Sequence, residues 1–491
     1  MAPSDTTPTR TPSETQSAPS PARSALIVGA GQAGGPLASE LARAGWQVTL
    51  IEREHVGGTC VNEGCTPTKA MIASARAAHV ARASGALGVG ARDVQVDVGV
   101  DVGRIVDRAQ GIVRDFREGS RSDVLEAGVE LLDGQARFIG ERQVEVTLND
   151  GGTRQLSADH VFINVGASPR WPELPGVRDV GAMTSRDLLQ LRELPAHLLI
   201  LGGGYISLEF AQLYARLGSR VTVVERGERL LSHEDGDVTD ALQQVLEDEG
   251  VTFLLDAEAV QTRKKGDEIT LEVRQDGKVQ TLSGSHLLVA VGRAPNTDGL
   301  NVEATGAKLG QHGEIVVDGH LRAAEGVYAL GDVKGGPAFT HISYDDFRIV
   351  RDAVLRGQER DFHERPVPYT VFTDPQLGRV GLDRQGARKL GRPTRVYTLP
   401  MSSATRAIET GETAGLLRAV VDDATDLLLG ASVLGHEGSE VMGALQLAMM
   451  GGLSAADLRD ATLSHPTLCE SINSLFMSEP ETLDGQENGE S

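Results

Sequence analysis

The chain is poor in aromatic residues and in cysteine: 4% of its 491 residues are aromatic, and it has Trp 2 and Cys 3. A large aromatic core is excluded, and so is a small secreted scaffold stapled by disulfides. No apolar run approaches the roughly 18 residues of a transmembrane helix. Positive charge is also short, with a formal net charge of −22. That balance argues against nucleic acid or an anionic membrane as partner. Residues 1–23 have no apolar segment of the signal-peptide kind and are rich in Ser, Thr and Pro, so they read as a disordered tail. The polar, acidic stretch 478–491 reads the same way. Three cysteines in so long a chain fit a reducing cytoplasm. Glycine, by contrast, is abundant at 58 residues, which favours close approach of backbone to cofactor and of helix to strand. The length implies roughly two to four domains.

Two of the cysteines lie in Gly57-Gly58-Thr59-Cys60-Val61-Asn62-Glu63-Gly64-Cys65-Thr66-Pro67-Thr68-Lys69, ahead of an alanine-rich run to Ala83 that reads as a helix. In a regular helix, Cα atoms five positions apart are roughly 8–9 Å from each other, whereas a disulfide needs about 4.4–6.8 Å. The pair can bridge only if this turn departs from a helix, and Gly64 and Pro67 suggest that it does. Cys65 then sits at the mouth of the next helix, where the dipole and free N–H groups favour a thiolate. A zinc half-site is the alternative. Zinc needs about four ligands, usually with a second close Cys or His pair, and the one cysteine left over is Cys469. The expectation is redox chemistry and no metal.

Ala25 to Val28 is a short apolar run followed at once by Gly29-Ala30-Gly31-Gln32-Ala33-Gly34, a helical stretch to about Ala44, and a second apolar run, Val48 to Ile51, ending at Glu52. The glycines let the backbone approach a pyrophosphate at a helix N-terminus, and the acid can hold ribose hydroxyls. The same unit recurs. Leu198 to Leu201 leads into Gly202-Gly203-Gly204-Tyr205-Ile206-Ser207, and Val221 to Val224 leads to Glu225. In both units the acid comes 23 residues after the first glycine. Two placed fingerprints imply two dinucleotides.

These motifs, and the string GGTCVNEGCTPTK above all, resemble the class I pyridine nucleotide-disulfide oxidoreductases, the flavoproteins that include dihydrolipoamide dehydrogenase, glutathione reductase and mercuric reductase. The resemblance runs from about Ala25 to Phe476. It implies an α/β chain of two doubly wound Rossmann-like nucleotide-binding domains, the second inserted into the first, plus a C-terminal α+β dimerisation domain. The implied boundaries are 24–170 and 291–365 for FAD, 171–290 for NAD(P), and 366–477 for the subunit interface. FAD is then expected on Gly29, Gly31, Gly34 and Glu52, with Gly58 and Thr59 beside the cysteines, and the nicotinamide cofactor on Gly202, Gly204 and Glu225. Asn164 to Pro169 and Val291 to Asn296, which contain Gly166 and Gly292, resemble the family's strand-crossing loops. Tyr328-Ala329-Leu330-Gly331-Asp332 resembles the late FAD motif, in which Asp332 holds the ribityl and flavin region. Glu225 accepts from a ribose 2′-OH and repels a 2′-phosphate, so NAD(H) is expected ahead of NADP(H).

Lys69 lies one helical turn beyond Cys65, and the resemblance pairs it with Glu209 near the flavin. A cation there stabilises a reduced flavin and a thiolate. Tyr205 matches the residue that covers the nicotinamide pocket. Asp101 to Ala127 reads as a packing helix without chemistry. From Pro366 the pattern turns to short strands and hairpins, and Thr373-Asp374-Pro375-Gln376-Leu377-Gly378 resembles the opening of the interface domain, which makes a homodimer. The partner subunit is implied to supply His465-Pro466-Thr467-Leu468-Cys469-Glu470. Pro466 is suited to start a helix with His465 at its mouth, and Glu470 is close enough to orient the imidazole for proton exchange with a thiol.

The resemblance makes Cys65 the flavin-proximal thiol of a Cys60–Cys65 redox disulfide and Cys60 the outer, substrate-exchanging one. Two signals divide over the small-molecule substrate. The stretch Thr66 to Ile72 looks closer to mercuric reductases, whereas the His-Pro-Thr segment and a C-terminal sequence without a cysteine pair look closer to dihydrolipoamide dehydrogenases. Dihydrolipoamide is expected first and mercuric ion second. A flavin-bearing redox sensor or assembly partner of low turnover is the reading from another class.

Overall fold

A computed structural model describes residues 23–89 and 98–484 of the chain. The tail expected at 1–23 lies outside these residues except for Arg23. Both apolar runs of the first unit form strands, Ser24–Val28 and Gln47–Glu52, paired in parallel with each other and flanked by His160–Ile163. The large sheet runs across Arg322–Ala324, Val327–Ala329, His160–Ile163, Ser24–Val28, Gln47–Glu52, Glu130–Gly140, Gln143–Leu148 and Thr153–Ser157. Its strands Ser24–Val28 and His160–Ile163 are apolar after their first residue because both faces are covered. Ala25 and Ile27 pack against Leu37 and Leu41 of the helix Gly34–Arg43 and against Phe347. Leu26 and Val28 point the other way, against Phe138, Val144 and Val146, as the period of two in a strand requires.

The second unit repeats this plan. Val251–Leu254, Arg220–Val224, His197–Leu201 and His286–Val289 form a four-stranded parallel sheet. Leu198 and Ile200 meet Leu208, Ala211 and Tyr214 of the helix Tyr205–Leu217. Leu199 and Leu201 meet Ile269, Leu271 and Val273 of an antiparallel meander, Ala257–Lys265, Glu268–Gln275 and Lys278–Gly284. The chain enters and leaves this unit through two short strands, Ala167–Pro169 and Arg293–Pro295, that pair antiparallel with each other.

The last sheet is antiparallel, in the order Tyr369–Val371, Gln376–Gly381, Leu428–Gly435, Leu416–Asp422, Thr394–Pro400 and Glu481–Leu483. The helix Gly438–Met450 packs on it through Val441, Met442 and Leu445. The final strand corrects the expectation of a disordered tail from residue 478. Leu483 is buried with Ala387, Val396 and Val420, so one apolar side chain and the open edge of Thr394–Pro400 hold Glu481–Leu483 as a strand. A single cluster joins the three regions: Met71 and Ala75 of the cysteine helix, Leu208 and Leu213 of the second unit, and Val371, Leu377 and Leu434 of the last sheet. It holds the cysteine helix from both sides. Among the described residues, no helix is long and apolar enough to cross a membrane.

Candidate active site

The helix Gly58–Glu63 ends at Gly64, whose φ −133 and ψ −114 leave helical space, and a new helix, Cys65–Ala83, starts at Cys65. The turn therefore departs from a helix at the glycine, and Cys65 opens the next one. Both thiols are free, and their influence on each other sets which sulfur favours the charge. Cys65 is lowered to about 6, chiefly by the Cys60 thiol beside it. Burial opposes this, and Thr340 and Lys69 add to it. Cys60 is pushed up by Cys65 in turn and by burial. These influences favour the thiolate on Cys65 over one on Cys60. Thr340 Oγ1 lies 3.4 Å from Cys65 Sγ.

One turn along the helix, Lys69 Nζ donates to Glu209 Oε2 at 2.7 Å. Glu209 is buried, and its other oxygen accepts from the Phe372 N–H at 2.9 Å. The Phe372 ring lies 4.6 Å from Lys69 Nζ. The pair links the cysteine helix to the helix of the second glycine turn and to the last sheet.

The two glycine turns are built alike. Glu52 accepts from the Ala30 N–H at 2.8 Å and the Glu54 N–H at 2.9 Å. Glu225 accepts from the Gly203 N–H at 2.5 Å and the Gly227 N–H at 2.7 Å. Gly34 and Gly202 are there for the fold. A Cβ on Gly34 would come within 2.0 Å of Gly29 O, and one on Gly202, at φ +106, within 2.5 Å of Ala290 O. Gly331 is also a packing glycine, 2.7 Å from Ser343 Oγ by the same measure. Gly204 differs. Its φ is −81, and a Cβ there meets no atom within 4 Å, so the glycine keeps a cradle open at the helix N-terminus, as an approaching pyrophosphate requires. Gly166 and Gly292 likewise face open space.

A cavity of about 1000 Å³ is lined by Gly29, Gly31, Glu52, Gly58, Thr59 and Gly166, and also by Cys60, Cys65, Lys69, Tyr205, Glu209 and Asp332. One extended ligand can therefore reach from Glu52 to the sulfurs, which is the fit FAD needs. Burial pushes the Asp332 carboxyl up against the pull of Arg293 and Lys334, and burial raises the Tyr205 hydroxyl to about 12. Gly34, Gly202, Gly204, Glu225, Gly292 and Gly331 are outside this lining, as are His465 and Glu470.

His465 Nδ1 is 2.8 Å from Glu470 Oε2 and 3.0 Å from Oε1, so the two meet as expected. The local fold differs from the expectation. Pro466 does not open a helix; its bond to His465 is cis, and the helix begins only at Ser471. Thr467 Oγ1 donates to Ser464 O and accepts from the Glu470 N–H, a side-chain turn that takes the backbone partners a helix would need. The imidazole is 65% exposed.

Asn164 and Asp374 fall in segments the sequence marked but carried no role there, and Thr340 had no sequence signal. Asn164 accepts from the Gly34 N–H at 2.9 Å and donates to Leu330 O at 2.8 Å, tying the first turn to the late motif. Asp374 receives Arg216 at 2.7 Å and Arg76 at 3.2 Å. Thr340 reaches Cys65 across the cavity. Among the described residues, no group of three or more His, Cys, Asp or Glu side chains is placed to hold a metal ion.

Residues 23–346 match the pyridine nucleotide-disulphide oxidoreductase family, and 367–476 match that family's dimerisation domain. The chain is 37% identical to the probable pyridine nucleotide-disulfide oxidoreductase RclA of Escherichia coli, over 92% of this chain and 98% of that one. It is 32% identical to a mercuric reductase of Staphylococcus aureus, over 91% and 80% respectively. With a dihydrolipoyl dehydrogenase of Halobacterium salinarum it shares 35% identity over 90% and 93%. The solved Cu(II) complex of the HOCl-induced flavoprotein disulfide reductase RclA from Escherichia coli superposes with a TM-score of 0.84 at 36% identity, covering 93% of this chain and 99% of that one.

Proposed function

This chain belongs to the class I pyridine nucleotide-disulfide oxidoreductases, and from that premise we propose that it exchanges electrons between NADH and a small disulfide, of the lipoamide kind, at Cys60 and Cys65. The observation that carries this reading is the His465–Glu470 pair at 2.8 Å. A carboxylate on Nδ1 leaves Nε2 to trade a proton with a thiol, and a dithiol–disulfide substrate needs that trade at every turnover.

Bound FAD supplies the two-electron relay between nicotinamide and sulfur. The chain offers it the first glycine turn, Glu52 and Asp332, and offers the nicotinamide cofactor Gly204, Tyr205 and Glu225. The Glu225 carboxylate favours NADH over NADPH. In the homodimer, the imidazole of His465 of the partner subunit takes the Cys60 proton. Cys60 then attacks one sulfur of the substrate disulfide. A bond from Cys60 to that sulfur forms, the substrate S–S bond breaks, and the departing sulfur takes the proton from the imidazolium. Cys65, already a thiolate, attacks Cys60; the Cys60–Cys65 disulfide forms and the second substrate sulfur leaves as a thiolate. Two electrons have passed from the cysteines to the substrate. We assign FAD to 24–170 and 291–365, the nicotinamide cofactor to 171–290 and the subunit contact to 366–477, in a protein of the cytoplasm.

A metal-ion acceptor is the second reading. Relatives named mercuric reductase and an RclA structure named as a Cu(II) complex favour it, since a thiol and thiolate pair suits soft metal ions. Anaerobic reoxidation of the NADH-reduced holoenzyme by lipoamide, mercuric ion and cupric ion in parallel separates the two. Lipoamide reoxidises fastest on the first reading. The Cys60→Ser enzyme should lose lipoamide turnover and still reduce ferricyanide; unchanged lipoamide turnover would sink the assignment.

A further inference from the structure

We propose that the Thr340 hydroxyl is the donor that keeps Cys65 a thiolate while Cys60 is occupied by substrate. The inference rests on the redox pair proposed above. Cys65 Sγ is in hydrogen-bond contact with the Thr340 hydroxyl at 3.4 Å and is influenced by the Cys60 thiol beside it, the larger of the two supports. The support from the thiol is lost when Cys60 reacts. Its proton goes to the imidazole, its sulfur bonds to a substrate sulfur, and no S–H faces Cys65. In that interval Cys65 must still be anionic, because it has to attack Cys60 and release the second product thiolate.

Among the described residues, Lys69 makes its hydrogen bond to Glu209 and none to Cys65. Its ammonium is held by Glu209 at 2.7 Å and lies against the Phe372 ring, so it acts on Cys65 as a neighbouring charge. The Thr340 hydroxyl also acts on the Cys60 thiol, and that competing pull ends once Cys60 is bonded to a substrate sulfur, leaving Cys65 as its partner at 3.4 Å. Its position is also fixed. Thr340 is the first residue of the helix Thr340–Arg356, after Phe339 as N-cap. The Phe339 ring stacks on His341 and on Tyr369, each with centroids 5.5 Å away. His341 Nε2 in turn meets Pro368 O at 2.6 Å. The start of this helix is clamped between aromatic rings, with its hydroxyl aimed at the sulfur. The N-terminus of the Thr340 helix and that of the Cys65 helix thus converge on one atom, and both favour negative charge there. A hydrogen bond to the charged form of a group lowers its pKa, and losing the bond raises it.

The Cys60→Ala holoprotein isolates this state, because it has no Cys60 S–H. The readout is the long-wavelength absorbance that a thiolate gives against oxidised flavin, titrated from acid to alkaline pH. Thr340→Val in that background should move the midpoint up by about one pH unit, a tenfold loss of thiolate below the midpoint. Thr340→Ser should bring it back. A valine variant that titrates with its parent, or a serine variant that restores nothing, overturns the role of Thr340. If Cys60→Ala itself shows no such band at any pH, the redox pair fails, and the inference with it.

Discussion

Glu209 and Lys69 face each other at 2.7 Å with the carboxylate buried and the ammonium toward the cavity, and the two charges act on Cys65 with opposite signs. Lys69 stabilises the thiolate and Glu209 opposes it. Lys69→Met should therefore raise the Cys65 midpoint, and Glu209→Gln should lower it. The pH titration of long-wavelength absorbance checks both. Shifts of the same sign in the two variants would mean that the pair acts on the sulfur by packing alone.

His465→Gln should reduce lipoamide turnover by roughly 10²–10⁴-fold, the usual contribution of a positioned acid–base group. Ferricyanide reduction should remain within about twofold, since that acceptor needs no thiol proton. Steady-state rates with the two acceptors decide the matter.

Two glycines of one motif should fail in different ways. Gly202→Ala meets Ala290 O at 2.5 Å and requires φ +106, so the loss belongs to folding: a fall in stability of about 2 kcal/mol or more, read as the midpoint of urea unfolding. Gly204→Ala meets no protein atom within 4 Å. Its stability should be unchanged and its KM for NADH raised roughly tenfold or more, because the added methyl occupies the space a pyrophosphate needs.

Glu234 is the buried acid that the chemistry leaves unused. Arg379 of the last sheet lies 3.2 Å from Oε1 and pulls the carboxyl down, against burial and the negative charge of Asp235 and Asp383. Burial raises its carboxyl from 4.5 to about 7. The folded protein thus holds a proton that the unfolded chain releases near pH 4.5, so Glu234 makes stability fall as pH rises from about 4.5 to 7, with no further change above. The full effect is about 3 kcal/mol. Glu234→Gln should remove that slope, seen by comparing urea midpoints at pH 5 and pH 8.

What was legible in the sequence was local. A strand, a glycine turn, a helix and an acid at fixed spacing carry their own geometry, so Glu52 and Glu225 sit where their motifs imply. Gly64 marked the break ahead of Cys65, and a Cβ there would come within 2.9 Å of Thr59 O. Pro466 misled for the same local reason: its preference for a first helical turn was overridden by the Thr467 side chain, three residues from the acid it helps to place. Leu483 looked like part of a polar tail because its partners, Val396 and Val420, lie far back in the chain. Thr340 could not be read at all. Its meaning comes from a meeting with Cys65 across 275 positions, and no periodicity records such a meeting.

The paired strands Ala167–Pro169 and Arg293–Pro295 place the way into the second nucleotide unit beside the way out, with Pro169 opposite Arg293. A unit whose two ends are neighbours can be exchanged, lost or acquired as one cassette without rerouting the host chain. Exchange of that segment therefore leaves both host ends already held together by one two-stranded ribbon.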